Sequence, residues 1–301
     1  SYNKETRFLH QIMIVRKELI KTSNIILLTM DQNNFKSLKL GFIGGGNMAI
    51  AIGAGLIRIL DPKNVWVSGR TKRTLTFWKE LGAQATFKNG EVVEKSDVIF
   101  LSVKPHMLDD ALDGVVKTLK EKIDNKLYVS ILVGMSLDTL IEVNLIRSMP
   151  NTPIMVGEGI TVYCSKNTNQ EDIILIDTLF SFLGISQNVP ESLMNAISGL
   201  SGSGPAYAYL IVEALADGAV KMGMPRPMAT KFAAQVLVGA GKMVIETERH
   251  PGQLKDEVCS AGGTTITGVH AMERGQVRGS MMNAVEAAVN KANEMSRIFK
   301  A

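Results

Sequence analysis

The chain has 301 residues, 46% of them hydrophobic and 21% charged, with a formal net charge of +4. That is enough polypeptide for about two domains. So small a charge, with no Lys/Arg run interleaved with aromatics, argues against a nucleic-acid partner. The two cysteines, Cys164 and Cys259, cannot build a disulfide framework. The four histidines have no partner at usable metal-ligand spacing, and no apolar run reaches the roughly 20 residues of a membrane span. The composition therefore predicts a globular enzyme of a reducing compartment, with no metal and no membrane partner.

Residues 1–37 differ from the rest. Lys4, Arg7, Arg16, Lys17 and Lys21 stand among few acids, and an apolar run, Ile25 to Met30, follows. One reading is a mitochondrial-type presequence. Glu5 and Glu18 weaken that pattern, so we read an upstream extension with Met30 as the start and expect a cytoplasmic protein. The mitochondrial alternative stands if 1–37 is a true presequence.

From Leu38 the chain alternates. Leu38 to Ile43 reads as a short buried strand, and Met48 to Leu60 as an apolar helix broken by Asp61-Pro62. Val65 to Ser68 is a second strand, and Thr71 to Leu81 a helix ended by Gly82. Val98 to Val103 is fully apolar, and Leu127 to Leu132 and Ile146 to Met149 read as two more strands. Apolar strands alternating with helices predict an α/β fold: a parallel sheet covered on both faces, over residues 38–190. After about residue 190 the strand-like runs stop. Pro205 to Met222, Met228 to Glu248, Thr264 to Glu273 and Val277 to Ile298 are helical patterns rich in Ala, Met and Gly. They predict an all-helical domain over 191–301. Several of these helices are apolar most of the way round, which predicts a partner subunit.

Between the first strand and first helix, Gly44-Gly45-Gly46-Asn47-Met48-Ala49 fits G-x-G-x-x-A. Gly44 permits the tight turn, Gly46 a close backbone approach to a pyrophosphate, and Ala49 close helix–strand packing. The helix N-terminus adds free N–H groups for the anion. The second strand should end at the adenosine ribose, where an acidic residue favours NAD. Here Ser68-Gly69-Arg70-Thr71-Lys72-Arg73 contains no acid. Guanidinium and hydroxyl groups suit a 2′-phosphate, so NADPH is expected, with NADH as the alternative. Ser102-Val103-Lys104-Pro105 ends the third strand and should wall the nicotinamide half, and Asn151-Thr152-Pro153 follows the last apolar strand on the same edge.

In the helical half, Ser198 to Tyr207 and Cys259 to Thr265 are Gly- and hydroxyl-rich stretches leading into helices. Both read as loops suited to a carboxylate, the second more strongly than the first, where simple capping competes. Cys259 has no His or Asn placed near it, which argues against a nucleophile.

The runs Gly199-Leu200-Ser201-Gly202-Ser203-Gly204-Pro205-Ala206-Tyr207, Ala214 to Gly218, His250 to Asp256, Gly262 to Ile266 and Asn283 to Ala287, with Gly41 to Ala49 and Val103-Lys104-Pro105, resemble the pyrroline-5-carboxylate reductase family over about residues 38–298. The resemblance implies a Rossmann domain followed by a helical dimerisation domain, and homodimers that often form larger rings. It implies hydride transfer from NAD(P)H to the C=N carbon of 1-pyrroline-5-carboxylate, yielding L-proline. By position it implies that Ile43, Gly44, Gly45, Gly46, Asn47 and Met48 bind pyrophosphate, and that Ser68 and Arg70 meet the ribose. Asn89, Ser102, Val103, Lys104 and Pro105 would line the cofactor. Glu191, Val258, Gly262, Gly263, Thr264 and Thr265 would meet the substrate, with Thr265 in the catalytic position. Glu257, where some relatives have Asn, and Ile131-Leu132-Val133, where many have small residues, depart from the family pattern. A β-hydroxyacid dehydrogenase shares the two-domain plan, but its catalytic Lys has only Lys221 as a counterpart, without that family's surrounding motif.

Overall fold

A computed structural model describes residues 37–119, 126–140 and 143–298. The expectations for residues 1–36 lie outside these. The chain forms two compact units, one running to Gly202 and taking up the chain again from Asn290, the other Ser203–Val289. The division falls later than residue 190, because residues 191–202 are held by first-unit contacts such as Asn151 Nδ2 donating to the Ser201 carbonyl at 3.0 Å.

The first unit is an eight-stranded sheet with helices on both faces. In chain order its strands are β1 (Leu40–Ile43), β2 (Val65–Ser68), β3 (Gln84–Thr86), β4 (Val98–Leu101), β5 (Leu127–Ser130), β6 (Asn144–Pro150), β7 (Gly159–Lys166) and β8 (Gly184–Asn188). Their spatial order is β3-β2-β1-β4-β5-β6-β7-β8. The order reverses between β1 and β4, which opens a crevice at the carboxyl ends of those strands. The helices are α1 (Asn47–Leu56), α2 (Lys72–Glu80), α3 (Asn89–Glu94), α4 (Leu108–Val116), α5 (Gln170–Ser181) and a short α6 (Met194–Ile197). One face of the sheet packs Phe42, Val67 and Phe100 against Ile52, Trp78 and Phe180. Phe42 and Phe100 stack at 4.8 Å. The other face packs Ile43, Ile99 and Leu101 against Val92, Leu108 and Val115.

The sheet corrects the expected all-parallel arrangement, since β6 and β7 pair antiparallel. Only residues 151–158 join them, a 3-10 turn over Thr152–Val156 closed by left-handed Gly157. A parallel crossover needs a longer connection. Asn151-Thr152-Pro153 thus directly follows β6, the last strand read from the sequence, and lies inside a hairpin-like connection to β7. Asn151 is buried, its Oδ1 accepting from the Ile160 amide at 2.9 Å. Strands β3, β7 and β8 were not anticipated: β3 has three residues, and β8 (GISQN) is a polar edge strand. The first helix ends at Leu56 rather than Leu60.

The second unit holds α7 (Gly204–Lys221), α8 (Arg226–Thr247), α9 (Pro251–Val258), α10 (Thr264–Arg274) and most of α11 (Val277–Ile298). Helix α9 fills the stretch between the helical patterns that end at Glu248 and begin at Thr264. Pro251 occupies its first position, and His250 Nδ1 accepts from the Gly252 amide at 3.0 Å, a capping arrangement. Helices α7 and α8 pack through Ala216, Ala229 and Ala233, small residues that let backbones approach. The outward faces stay apolar, with Tyr209, Leu210, Phe232, Val236, Ile245 and Met282 exposed. Helix α8 is, by length and composition, long and apolar enough to cross a membrane, a feature that residue-by-residue reading missed because Arg226, Lys231 and Lys242 interrupt the run. Such a face in so small a helical unit calls for a cover.

Candidate active site

The crevice at the β1/β4 reversal is a cavity of about 540 Å³, within the usual range for small-molecule sites. Gly44, Gly45 and Gly46 form its floor, Ser68 to Thr71 and Thr74 one end, and Asn89, Ser102, Val103 and Lys104 the other side. The glycines have separate physical roles. Gly44 sits at φ +99°, and a Cβ there would lie 2.7 Å from the Ser102 carbonyl oxygen. A Cβ on Gly45 would meet Trp78 Nε1 at 2.7 Å, the same nitrogen that donates to the Gly45 carbonyl at 3.2 Å. A Cβ on Gly46 would meet nothing within 4 Å. Gly46 also begins α1 without a side-chain cap, so the first-turn amides have no side-chain acceptor.

Neighbouring strand ends lock this loop. Ser102 Oγ donates to the Gly44 carbonyl at 2.6 Å, its amide donates to the Ile43 carbonyl at 2.9 Å, and the Gly44 amide donates to the Ser68 carbonyl at 3.2 Å. At the β2 end, Thr71 caps α2 by accepting from the Thr74 amide at 3.3 Å, while Arg70 is exposed at the cavity mouth. Asn89 is fixed by donating from Nδ2 to the Ala111 carbonyl at 2.9 Å.

Nine of the thirteen expected cofactor residues line the cavity; Ile43, Asn47, Met48 and Pro105 do not. The Ile43 side chain is buried in the sheet core. Gly69 and Thr71, from the run read as the ribose end, line the cavity too, while Thr74, Phe87, Met107, Asp110 and Ala111 line it without having been anticipated. Thr74 was legible in principle, as the partner that Thr71 caps directly after the ribose-binding strand. Phe87 and Asp110 were not, because the fold alone brings their segments to the crevice. Lys72 and Arg73 point to no wall of this cavity, which leaves Arg70 as its cation at the β2 end.

In the second unit, Gly263 begins α10 with no side-chain cap, and Gly262 is left-handed at φ +67° with open space around it. The Gly263 amide closes the turn on the Ser260 carbonyl at 3.0 Å. Thr265 is half-buried, and Val258, Gly262 and Thr264 are exposed. The loop therefore presents helix-start amides and two hydroxyls. Glu257 is paired with Arg249. One expectation changes: Ser198 to Gly202 forms a π-helical turn after α6 rather than a loop, with Ser201 Oγ donating to the Ile197 carbonyl at 3.0 Å. Glu191 belongs to the first unit, where its Oε1 accepts from Arg147 and from the Leu137 amide. Among the described residues no cluster of three or more His, Cys, Asp or Glu could hold a metal ion.

The comparisons with known proteins agree with this geometry. Residues 191–295 match the profile described as pyrroline-5-carboxylate reductase dimerisation, and residues 39–134 match NADP oxidoreductase, coenzyme F420-dependent. The chain is 40% identical to pyrroline-5-carboxylate reductase 3 of Danio rerio, covering 89% of this chain and 94% of the relative. It is 43% identical to pyrroline-5-carboxylate reductase of Glycine max, covering 87% and 97%. Among solved structures, Plasmodium falciparum pyrroline carboxylate reductase with NADP bound aligns with a TM-score of 0.78 at 33% identity, covering 87% of this chain and 99% of that one.

Proposed function

This chain belongs to the pyrroline-5-carboxylate reductase family, and we propose that it reduces the C=N bond of 1-pyrroline-5-carboxylate to L-proline, the final step of proline biosynthesis, with NADPH as hydride donor. The observation that carries this reading is the glycine-floored cavity at the β1/β4 reversal, in a chain whose helical unit carries a second uncapped helix start at Gly263.

The first unit's residues fit a dinucleotide. Open space over Gly46 and the uncapped start of α1 suit a pyrophosphate. Ser68, Arg70 and Thr71 offer hydroxyls and one guanidinium to a ribose 2′-phosphate, with no carboxylate among Ser68 to Arg73 to repel it. When bound, NADPH supplies the hydride; NADH is the alternative donor. On the substrate side, the amides of Thr264 and Thr265 hold the carboxylate, and the Thr265 hydroxyl hydrogen-bonds the ring nitrogen. A cyclic imine is protonated near neutral pH and already electrophilic, so the chain has to align the rings and exclude water rather than supply a strong acid. Thr265 serves as that aligning group.

The small-molecule substrate and an oligomer are implied by the family; a homodimer, extended into a ring of dimers, is the assembly we propose, with the apolar faces of α7 and α8 covered in it. A cytoplasmic setting without membrane or nucleic-acid partners is part of the same proposal. The test is a spectrophotometric assay of the purified full chain with pyrroline-5-carboxylate and each nicotinamide cofactor. Turnover with a lower KM for NADPH than for NADH is expected. Oxidation of 3-hydroxy acids without turnover of pyrroline-5-carboxylate would assign the chain to the hydroxyacid dehydrogenases instead.

A further inference from the structure

Helix α9 carries a charge pair set against its own dipole. Arg249 precedes the His250 cap, and Glu257 lies in the last turn of the helix. The Arg249 guanidinium reaches along α9, and its Nη2 pairs with Glu257 Oε1. A helix N-terminus favours an acid and a C-terminus a base, so each member of the pair stands at the end that disfavours it. Both side chains are partly exposed, at 34% and 54%, and exposed pairs add little to stability. The stability of α9 therefore does not account for the pair.

What Glu257 adjoins is the substrate loop. Val258 ends α9, Cys259 follows, and the chain turns through left-handed Gly262 to the uncapped start of α10 at Gly263. There the Thr264 and Thr265 amides face an anionic ligand. The carbonyl end of α9 and an unpaired Glu257 would both repel that anion as it approached. A neutral Asn, which some relatives have at this position, needs no counter-charge; a Glu does. The other carboxylates of α9 and α10 are already matched, Asp256 by Lys255 at 2.5 Å and Glu273 by Arg278 at 2.7 Å. Arg249 is the cation that does the same for Glu257. Its backbone is fixed as well: the Arg249 amide donates to Thr247 Oγ1 at 3.4 Å, and Glu248 turns the chain ahead of it at φ +54°.

We propose that Arg249 is a positioning residue that sets the affinity of the loop 258–265 for its anionic substrate. It ties down and neutralises the Glu257 carboxylate, which otherwise repels the ligand. This rests on the reductase reading. Arg249 acts on the substrate only through Glu257, so removing both charges restores what removing the cation alone destroys.

The test is a double-mutant cycle in the full chain, with Arg249→Gln, Glu257→Gln and the two combined. The readouts are kcat, KM for pyrroline-5-carboxylate and KM for NADPH. They are taken at about 0.01 M salt, where charges act over about 30 Å, and at about 1 M, where the range falls to about 3 Å. At low salt Arg249→Gln should raise the KM for pyrroline-5-carboxylate about three- to tenfold and leave kcat nearly unchanged, the signature of lost uniform binding. At high salt the rise should shrink to under about twofold. Glu257→Gln and the combined variant should stay within about twofold of the wild type throughout, as neither leaves an unpaired carboxylate. A combined variant as impaired as Arg249→Gln overturns the role, because Arg249 then acts on the ligand or the fold directly. Equal, salt-independent losses in both single variants mark a pair that only supports the fold, and overturn it too. So does a KM for NADPH that rises in step with that for pyrroline-5-carboxylate. Wild-type turnover is scored first. Its absence overturns the reductase reading and this role with it, whereas normal wild-type turnover with no change of KM in Arg249→Gln overturns this role alone.

Discussion

Replacing Gly46 and Gly44 separately by alanine distinguishes a glycine kept for a ligand from one kept for the fold. At Gly46 the backbone is extended, φ −76° and ψ −174°, and an added methyl meets nothing within 4 Å. Alanine adopts that conformation freely, so stability should change by under about 1 kcal/mol, a shift of under about 4 °C in Tm. The same methyl would stand where a pyrophosphate approaches the α1 amides. Losing one charge-assisted hydrogen bond costs about 1.5–3 kcal/mol, or about ten- to a hundredfold in NADPH affinity. At Gly44 the balance reverses. The φ of +99° disfavours any side chain, and the Cβ would lie 2.7 Å from the Ser102 carbonyl oxygen. Backbone strain of this kind costs about 1–3 kcal/mol, which should lower Tm by roughly 2–10 °C. Thermal melting with and without NADPH, together with titration of cofactor fluorescence, reads both quantities. If Gly46→Ala binds NADPH as tightly as the wild type, or destabilises the chain as much as Gly44→Ala does, the assignment of the loop is wrong.

Arg70→Ala should raise the KM for NADPH about tenfold, the low end for a charged contact because Arg70 is exposed, and leave the KM for NADH nearly unchanged; equal effects on both cofactors would sink the 2′-phosphate role. Thr265→Ala should lower kcat/KM for pyrroline-5-carboxylate by at least about tenfold, roughly 1.4 kcal/mol, with Thr265→Ser retaining most activity; a defect confined to NADPH affinity would refute the substrate role. Burial, with the Glu191 carboxylate nearby, pushes the Cys164 thiol up to about 11, whereas Cys259 is partly exposed. Alkylation of the native protein at pH 8 should therefore label Cys259 and spare Cys164, and peptide mapping that found Cys164 labelled equally fast would contradict its burial. The sign of the linkage is fixed as well: between pH 9 and about 11 the unfolded chain loses the Cys164 proton that the folded chain keeps, so this group's contribution to stability falls as pH rises through that window.

The local chemistry was legible in the order of the residues. The apolar runs of β1, β2, β4, β5 and β6, the glycine turn at 44–46 and the long helices after residue 204 were all legible, because each is a short-range pattern of burial or backbone permission. The break at Ser68 to Arg73 and the uncapped turn at Gly262-Gly263 were legible for the same reason. Tertiary structure decided the rest. The antiparallel β7 depends on an eight-residue connection closing on Gly157, and edge strands β3 and β8 take their pairing from neighbours rather than from hydrophobicity of their own. Phe87 and Asp110 reach the cavity only because α3 and α4 pack beside β4. Ser198 to Gly202 looked like a ligand loop by composition, but a buried carbonyl acceptor for Asn151 makes it a helical turn. Glu191 gives the clearest case. Nothing within its own neighbourhood of sequence announces Arg147, 44 residues away, or Leu137, 54 residues away. A buried charge takes its partner from whatever the sheet order sets beside it, and that order is a property of the whole fold.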